Sequence, residues 1–142
     1  MSDFSPDQMK SFNQQVIDEF RANGGETTGP FAGAPLLLLT SIGAKSGEPR
    51  TSPVVHTRDG DRYIIIASKA GAPTNPDWYH NLVAHPEVTV EVGTESFTAR
   101  AEEVHGAERD RLYDAQAEQL PAFKEYATKT DRTIPVIVLT RV

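Results

Sequence analysis

The stretch TSPVVHTRDGDRYIIIA, Thr51 to Ala67, decides the fold. Thr51 to Arg58 reads as one strand and Tyr63 to Ala67 as another, because both are rich in β-branched and aromatic residues. Between them Asp59-Gly60 is a dipeptide that turns tightly at little steric cost, so the two runs predict an antiparallel hairpin. Working outward, Leu36 to Ile42 is too short for a buried helix and reads as a strand covered on both faces. Downstream, Val88 to Val92 and Phe97 to Val104 alternate with polar residues about Gly93-Thr94-Glu95, which gives a second hairpin with one face toward solvent. Ile134 to Thr140 supplies a sixth strand.

Helices fill the gaps. Met9, Phe12, Val16, Ile17 and Phe20 recur at helical spacing, so residues 6–22 form an amphipathic helix, opened by Ser5-Pro6 and stopped by Gly24-Gly25. Thr27 to Pro35 reads as an arm. Asn75-Pro76-Asp77 starts a short helix, with Asn75 as N-cap and Pro76 in the first helical position, and Trp78 to Ala84 continue it until Pro86. Glu108 to Gln119 and Ala122 to Thr128 are two more helices, separated by Pro121. The expected class is mainly β (α+β), a closed or split barrel of six strands with short inserted helices. The domain division is an N-terminal helix and arm over residues 1–30 and a barrel over 31–142.

Composition narrows the chemistry. Among 142 residues there is no cysteine, which excludes disulfides, thiolate catalysis and thiolate-held iron–sulfur clusters. Any hydride or electron handled here therefore sits on something bound. Apolar runs such as Leu36 to Leu39 are far short of a membrane span, and Met1-Ser2-Asp3 opens no signal segment. A cytoplasmic protein is expected. The formal charge of −6 argues against general nucleic-acid binding. Ser41 to Ala70 runs against that trend, with Lys45, Arg50, Arg58, Arg62 and Lys69 against three acids, and a local basic patch in an acidic chain points to a small anionic ligand.

Two loops concentrate this chemistry. Gly43-Ala44-Lys45-Ser46-Gly47-Glu48-Pro49-Arg50 combines small residues with two cations, which suits a phosphate or carboxylate that needs several N–H donors and compensating charge. It lacks the Gly-Lys-Ser/Thr ending of a Walker loop. Ser68-Lys69-Ala70-Gly71 follows the third strand with another cation and a small-residue turn. Beyond it, Trp78 and Asn81 stand three apart on one helical face, so an aromatic surface and an amide can point the same way. His56, His80, His85 and His105 show no metal spacing, and no metal is expected. No Gly-x-Ser-x-Gly elbow is present.

Taken in order, the Gly43 to Arg50 loop, Ser68-Lys69-Ala70-Gly71, Asn75-Pro76-x-Trp78-Tyr79-x-Asn81-Leu82 and Asp131-Arg132-Thr133-Ile134-Pro135 resemble the deazaflavin-dependent nitroreductase and quinone reductase family of actinobacteria. That resemblance implies a split β-barrel of the pyridoxamine-phosphate-oxidase and FMN-binding type and a bound coenzyme F-420. It implies hydride transfer from the reduced coenzyme to a quinone or nitro-aromatic acceptor. Lys45, Arg50 and Lys69 then grip the phosphodiester and oligoglutamate tail, with Ser46 and Gly47 in the same loop. Ser68, Ala70, Gly71, Trp78 and Asn81 border the deazaflavin ring. Ala44 departs from the family, which often places a second cation there. Tyr126 matches a tyrosine facing the acceptor and is the expected catalytic residue. Leu120 and Phe123 replace neighbouring tyrosines and make the acceptor pocket more apolar, with His56 near the ring as a second proton source.

Two other readings fit the same residues: a carrier that binds the coenzyme without turnover, and an FMN-dependent reductase with a shorter phosphate site. The resemblance also implies a homodimer. A weak contact of the N-terminal helix with the inner face of the membrane is the remaining partner reading, although Asp18, Glu19 and the scarcity of Lys and Arg suit an anionic membrane poorly.

Overall fold

The computed structural model describes residues 6–26, 35–68, 75–130 and 133–142, with side chains from Phe12 onward. The arm at 27–34 and the cluster Lys69, Ala70 and Gly71 lie outside the described residues, as do Asp131 and Arg132. The elements run α1 (Pro6–Ala22), β1 (Leu36–Ile42), β2 (Pro49–Asp59), β3 (Arg62–Ile66), α2 (Asp77–Ala84), β4 (Glu87–Val92), β5 (Glu95–Val104), α3 (Gly106–Gln119), α4 (Ala122–Lys129) and β6 (Val136–Arg141).

The strands close into an antiparallel barrel in the order β1-β2-β3-β6-β5-β4. The hairpin at the centre of the sequence forms as expected, with His56 opposite Ile65 and Asp59 opposite Arg62. Asp59 is thus the last residue of β2, and the loop consists of Gly60, at φ +63°, and Asp61. The second hairpin pairs Glu87 with Arg100 and Val92 with Glu95. Closure rests on a short seam, Leu38 to Thr40 against Thr89 to Glu91.

The Leu36 to Leu39 run is covered on both sides for a reason visible in its alternation. Leu37 and Leu39 point into the barrel with Val54, Tyr63, Ile65, Val90 and Leu139. Leu36 and Leu38 point outward under Val16, Ile17 and Phe20 of α1. Fully burying each such leucine contributes about 1.5–3 kcal/mol, so β1 is the shared wall of two cores. A third cluster lies on the outer face of β3 and β6, where Ile64, Ile66, Val136 and Val138 meet Leu112, Tyr113 and Ala117 of α3 and Phe123 of α4. Val55 touches both outer clusters, so α1 and α4 flank the same strand, β2.

One helix start differs from the sequence reading. Pro76 takes the N-cap position with φ −66° and ψ 157°, and Asp77 is the first helical residue, leaving Asn75 outside. The fixed φ of proline suits either position, and here ψ is extended, which makes it a cap.

Candidate functional site

The loop between β1 and β2 is tightened by its own backbone. The Gly43 N–H donates to the Glu48 carbonyl at 2.8 Å, and the Gly47 N–H donates to the Gly43 carbonyl at 2.9 Å. A Cβ at Gly43 would sit 2.4 Å from Ser46 Oγ and 3.3 Å from the Glu48 carbonyl, so a side chain there would displace the Ser46 hydroxyl. Ser46 Oγ accepts the Glu48 N–H at 3.2 Å, which spends that hydroxyl on the loop. The N–H groups of Lys45 and Ser46 have no acceptor among the described residues.

Asn81 braces this loop from α2. Its Oδ1 accepts the Ala44 N–H at 2.9 Å and its Nδ2 donates to Ser41 Oγ at 3.3 Å. Both Asn81 and Ser41 are buried. The sequence placed Asn81 beside the coenzyme ring; the structure shows its amide engaged with the loop, which makes it a positioning residue first.

Together these elements enclose a cleft of about 740 Å³, within the range of ligand sites. Lys45 and Ser46 line it from the loop, Arg50 from the start of β2, Trp78, His80 and Asn81 from α2, and Asn13, Gln14 and Ile17 from α1. Trp78 is half-buried and also packs against the barrel interior, so it serves as core and as wall at once. Arg21, Arg62, Arg109, Arg111 and Arg141 each pair with a carboxylate. Lys45 and Arg50, by contrast, have no ion-pair partner among the described residues, although Asp77 contributes one acid to the same cleft. Exposed cations left unpaired beside free N–H donors can attract an anion, with a strength that falls as salt screens it.

The remaining expected residues lie elsewhere. Gly47 is in the loop at φ +71° but is not among the lining residues. Ser68 is buried just beyond β3. Phe123 and Tyr126 belong to the α3–α4 cluster, their rings edge to face at 5.2 Å, and the Tyr113 hydroxyl donates to the Phe123 carbonyl at 2.5 Å. Tyr126 is half-buried, with Lys129 Nζ 5.9 Å from its ring centre. Neither Phe123 nor Tyr126 is among the residues lining the cleft.

His56, on β2, is a buried strand residue. It is 7% exposed, its ring lies 5.7 Å from that of Tyr63, and its Nδ1 has no hydrogen-bond partner. Burial, with the Arg58 charge adding to it, holds its pKa below the ordinary value of 6.5. It is neutral near pH 7 and therefore cannot present a ready-made acid there. Beside the cleft, the Tyr79 hydroxyl donates to Glu103 at 2.6 Å, and that bond, with partial burial, pushes its pKa up to about 12. Tyr79 thus ties α2 to β5 and is no proton source.

Sequence reasoning missed the α1 residues Asn13 and Gln14 and the α2 residue His80. The helical pattern marks their positions as a polar face, and only the tertiary arrangement turns that face toward a cleft. Among the described residues no group of three His, Asp or Glu could hold a metal, and no helix is long and apolar enough to cross a membrane.

A family model described as F420H(2)-dependent quinone reductase matches residues 12–141. An F420H(2)-dependent quinone reductase of Mycobacterium tuberculosis is 42% identical over 126 residues, covering 86% of this chain and 85% of that one. A solved F420-H2 dependent reductase, FDR-A, superposes with a TM-score of 0.69 at 40% identity, over 74% of this chain and 93% of its own. A structure described as a domain-swapped dimer gives a TM-score of 0.71 at 34% identity, over 95% of this chain and 99% of its own. A Listeria innocua protein named after pyridoxamine 5'-phosphate oxidase, 12% identical with a TM-score of 0.53 over 75% of this chain and 83% of its own, shares the fold alone.

Proposed function

The chain belongs to the F420H(2)-dependent quinone reductase family, and from that premise we propose that it is an oxidoreductase that reduces quinones with reduced coenzyme F-420 held in the cleft. The observation that carries this reading is the pair Lys45, on the β1–β2 loop, and Arg50, at the start of β2, both without an ion-pair partner among the described residues and lining one cleft with Trp78. The coenzyme offers matching features, a phosphodiester and a carboxylate-rich tail at one end and a planar ring at the other. When bound and reduced it supplies the hydride.

Lys45 and Arg50 neutralise the anionic end, with Arg50 able to bind a carboxylate or phosphate by two parallel bonds. Asn81 keeps the Ala44 N–H occupied and the loop in shape. Trp78 supplies the flat apolar surface against which a ring is held at a fixed distance from its acceptor, which is the main source of rate in such a transfer. Lys69 joins Lys45 and Arg50 at the anionic end in this proposal, and Ser68, Ala70 and Gly71 complete the ring end. Tyr126 faces the acceptor and supplies or relays the proton, in a pocket made apolar by Leu120 and Phe123. Nitro-aromatic compounds are further acceptors under the same reading.

A homodimer accompanies the proposal, supported by the relative described as a domain-swapped dimer. Membrane contact does not, since Val16, Ile17 and Phe20 are buried against β1.

The test is turnover. Reduced coenzyme F-420 and menadione are mixed with the purified protein and reoxidation is followed by absorbance. Protein-dependent reoxidation supports the reductase, whereas tight binding without reoxidation favours a carrier.

A further inference from the structure

We propose that Asn13 is a ligand-binding residue of the cleft, held in place by the Arg21–Glu91 ion pair, and that its carboxamide hydrogen-bonds a carbonyl-bearing ring. The inference rests on the reading of the cleft given above. Asn13, Ile17 and Arg21 are spaced four apart and so form one stripe along α1, about 12 Å from first to last. Each does a different job. Arg21 donates through Nε and Nη2 to both oxygens of Glu91 on β4, at 3.0 and 2.9 Å. Ile17 is 4% exposed and packs with Leu36 and Leu38. Asn13 lines the cleft, half-buried, with no hydrogen-bond partner among the described residues.

The end of α1 is fixed a second time by backbone. Gly25, at φ +98°, comes so close to the β4–β5 turn that a Cβ on it would lie 2.8 Å from Gly93 Cα. Its N–H closes the helix by donating to the Phe20 carbonyl at 2.8 Å. With an ion pair, a backbone contact and an apolar face all on the barrel, α1 has little freedom to rotate, and Asn13 keeps its direction. Its neighbour Gln14 is partly used, since Nε2 donates to Asp18 Oδ1 at 2.9 Å. Asn13 offers both a donor and an acceptor, which suits a ring carbonyl and an adjacent N–H. The pyrimidinedione edge of a deazaflavin and the carbonyls of a quinone share that chemistry.

An exposed ion pair adds little to global stability, but a two-bond arginine–carboxylate pair fixes direction. Its loss should therefore move binding more than melting. The experiment uses the full chain as Asn13→Ala, Arg21→Glu, Glu91→Arg and the exchanged pair Arg21→Glu/Glu91→Arg. Three quantities are read: Kd for oxidised coenzyme F-420 from quenching of Trp78, the only tryptophan, KM for menadione, and the melting temperature. Asn13→Ala is expected to weaken one of the two affinities by roughly three- to tenfold, the worth of one net hydrogen bond. Each charge reversal should do the same, and the exchange should restore it to within about twofold. A raised Kd assigns the ring to the coenzyme; a raised KM with unchanged Kd assigns it to the acceptor. Asn13→Ala leaving both unchanged overturns the proposal, as does an exchange that melts normally but restores nothing. A wild-type chain that binds no F-420 overturns the coenzyme reading itself, an outcome distinct from normal binding that the variants leave untouched.

Discussion

The two helical faces that flank β2 are built to opposite rules. On the α3–α4 side, most of the polar groups that face the barrel are paired within the protein: Tyr113 donates to Phe123, Arg109 donates to the Ile134 carbonyl at 2.9 Å, Asp59 holds both Arg62 and Arg111, and Gln116 Oε1 accepts from Thr57, leaving its buried Nε2 without a partner among the described residues. Those two guanidiniums keep the Asp59 carboxyl below its ordinary range. On the side of α1, α2 and the β1–β2 loop, Lys45, Arg50 and Asn13 stay without partners around a cleft. The first face is the more finished as folded, while the second is the one we propose a ligand completes. Where a protein leaves charge uncompensated beside free donors, it is offering binding energy rather than stability.

That contrast can be broken in either direction. The largest effect belongs to the finished face: Phe123→Ala should cost about 3–5 kcal/mol in denaturant unfolding, with coenzyme affinity of the folded protein unchanged. A marked loss of coenzyme affinity instead would place Phe123 against the coenzyme and not only in the acceptor pocket. On the open face, Asn81→Leu frees the Ala44 N–H and should cost about 1–3 kcal/mol of local order, seen as roughly tenfold weaker coenzyme binding. Asn81→Asp, which keeps the acceptor, should lose less. Tyr126 sits between the faces, and Tyr126→Phe should lower kcat by about tenfold or more with Kd constant if its hydroxyl serves the proton step. Full turnover in that variant would remove Tyr126 from the reaction and return it to the finished face.

The smallest effect is a pH dependence. The pKa of His56 is depressed in the folded protein from an ordinary 6.5, so the unfolded chain binds a proton that the native state resists. Stability contributed by the neutral ring is complete above pH 6.5 and is lost as pH falls from there toward the folded pKa. His56→Phe should flatten the slope of unfolding free energy below that point. A slope that persists would mean other groups set the acid limit.

How much of this was legible in the sequence follows from what each feature depends on. The hairpins were readable because alternation and turn residues are local, and α1 because Met9, Phe12, Val16, Ile17 and Phe20 repeat on one side. Gly43, Lys45 and Arg50 marked a segment suited to an anion through composition alone, and the structure places Lys45 and Arg50 in one cleft. The brace from Asn81 to Ala44 spans 37 residues, and no local pattern reveals that an amide is used internally. Asn13 was invisible for the same reason, since a polar helical face reads as solvent until the barrel puts a loop opposite it. The burial of His56 was within reach, because it shares its strand face with Val54, which points into the core.

The most direct test of the central claim is a titration of coenzyme F-420, and in parallel FMN, into the wild-type chain and Lys45→Ala/Arg50→Ala, at low and moderate salt. The account predicts micromolar or tighter F-420 binding to wild type that weakens with salt. It predicts about a 100-fold loss in the double variant, at two charge-assisted hydrogen bonds, with an unchanged melting temperature. Equal binding by both proteins, or FMN binding where F-420 does not, would contradict it.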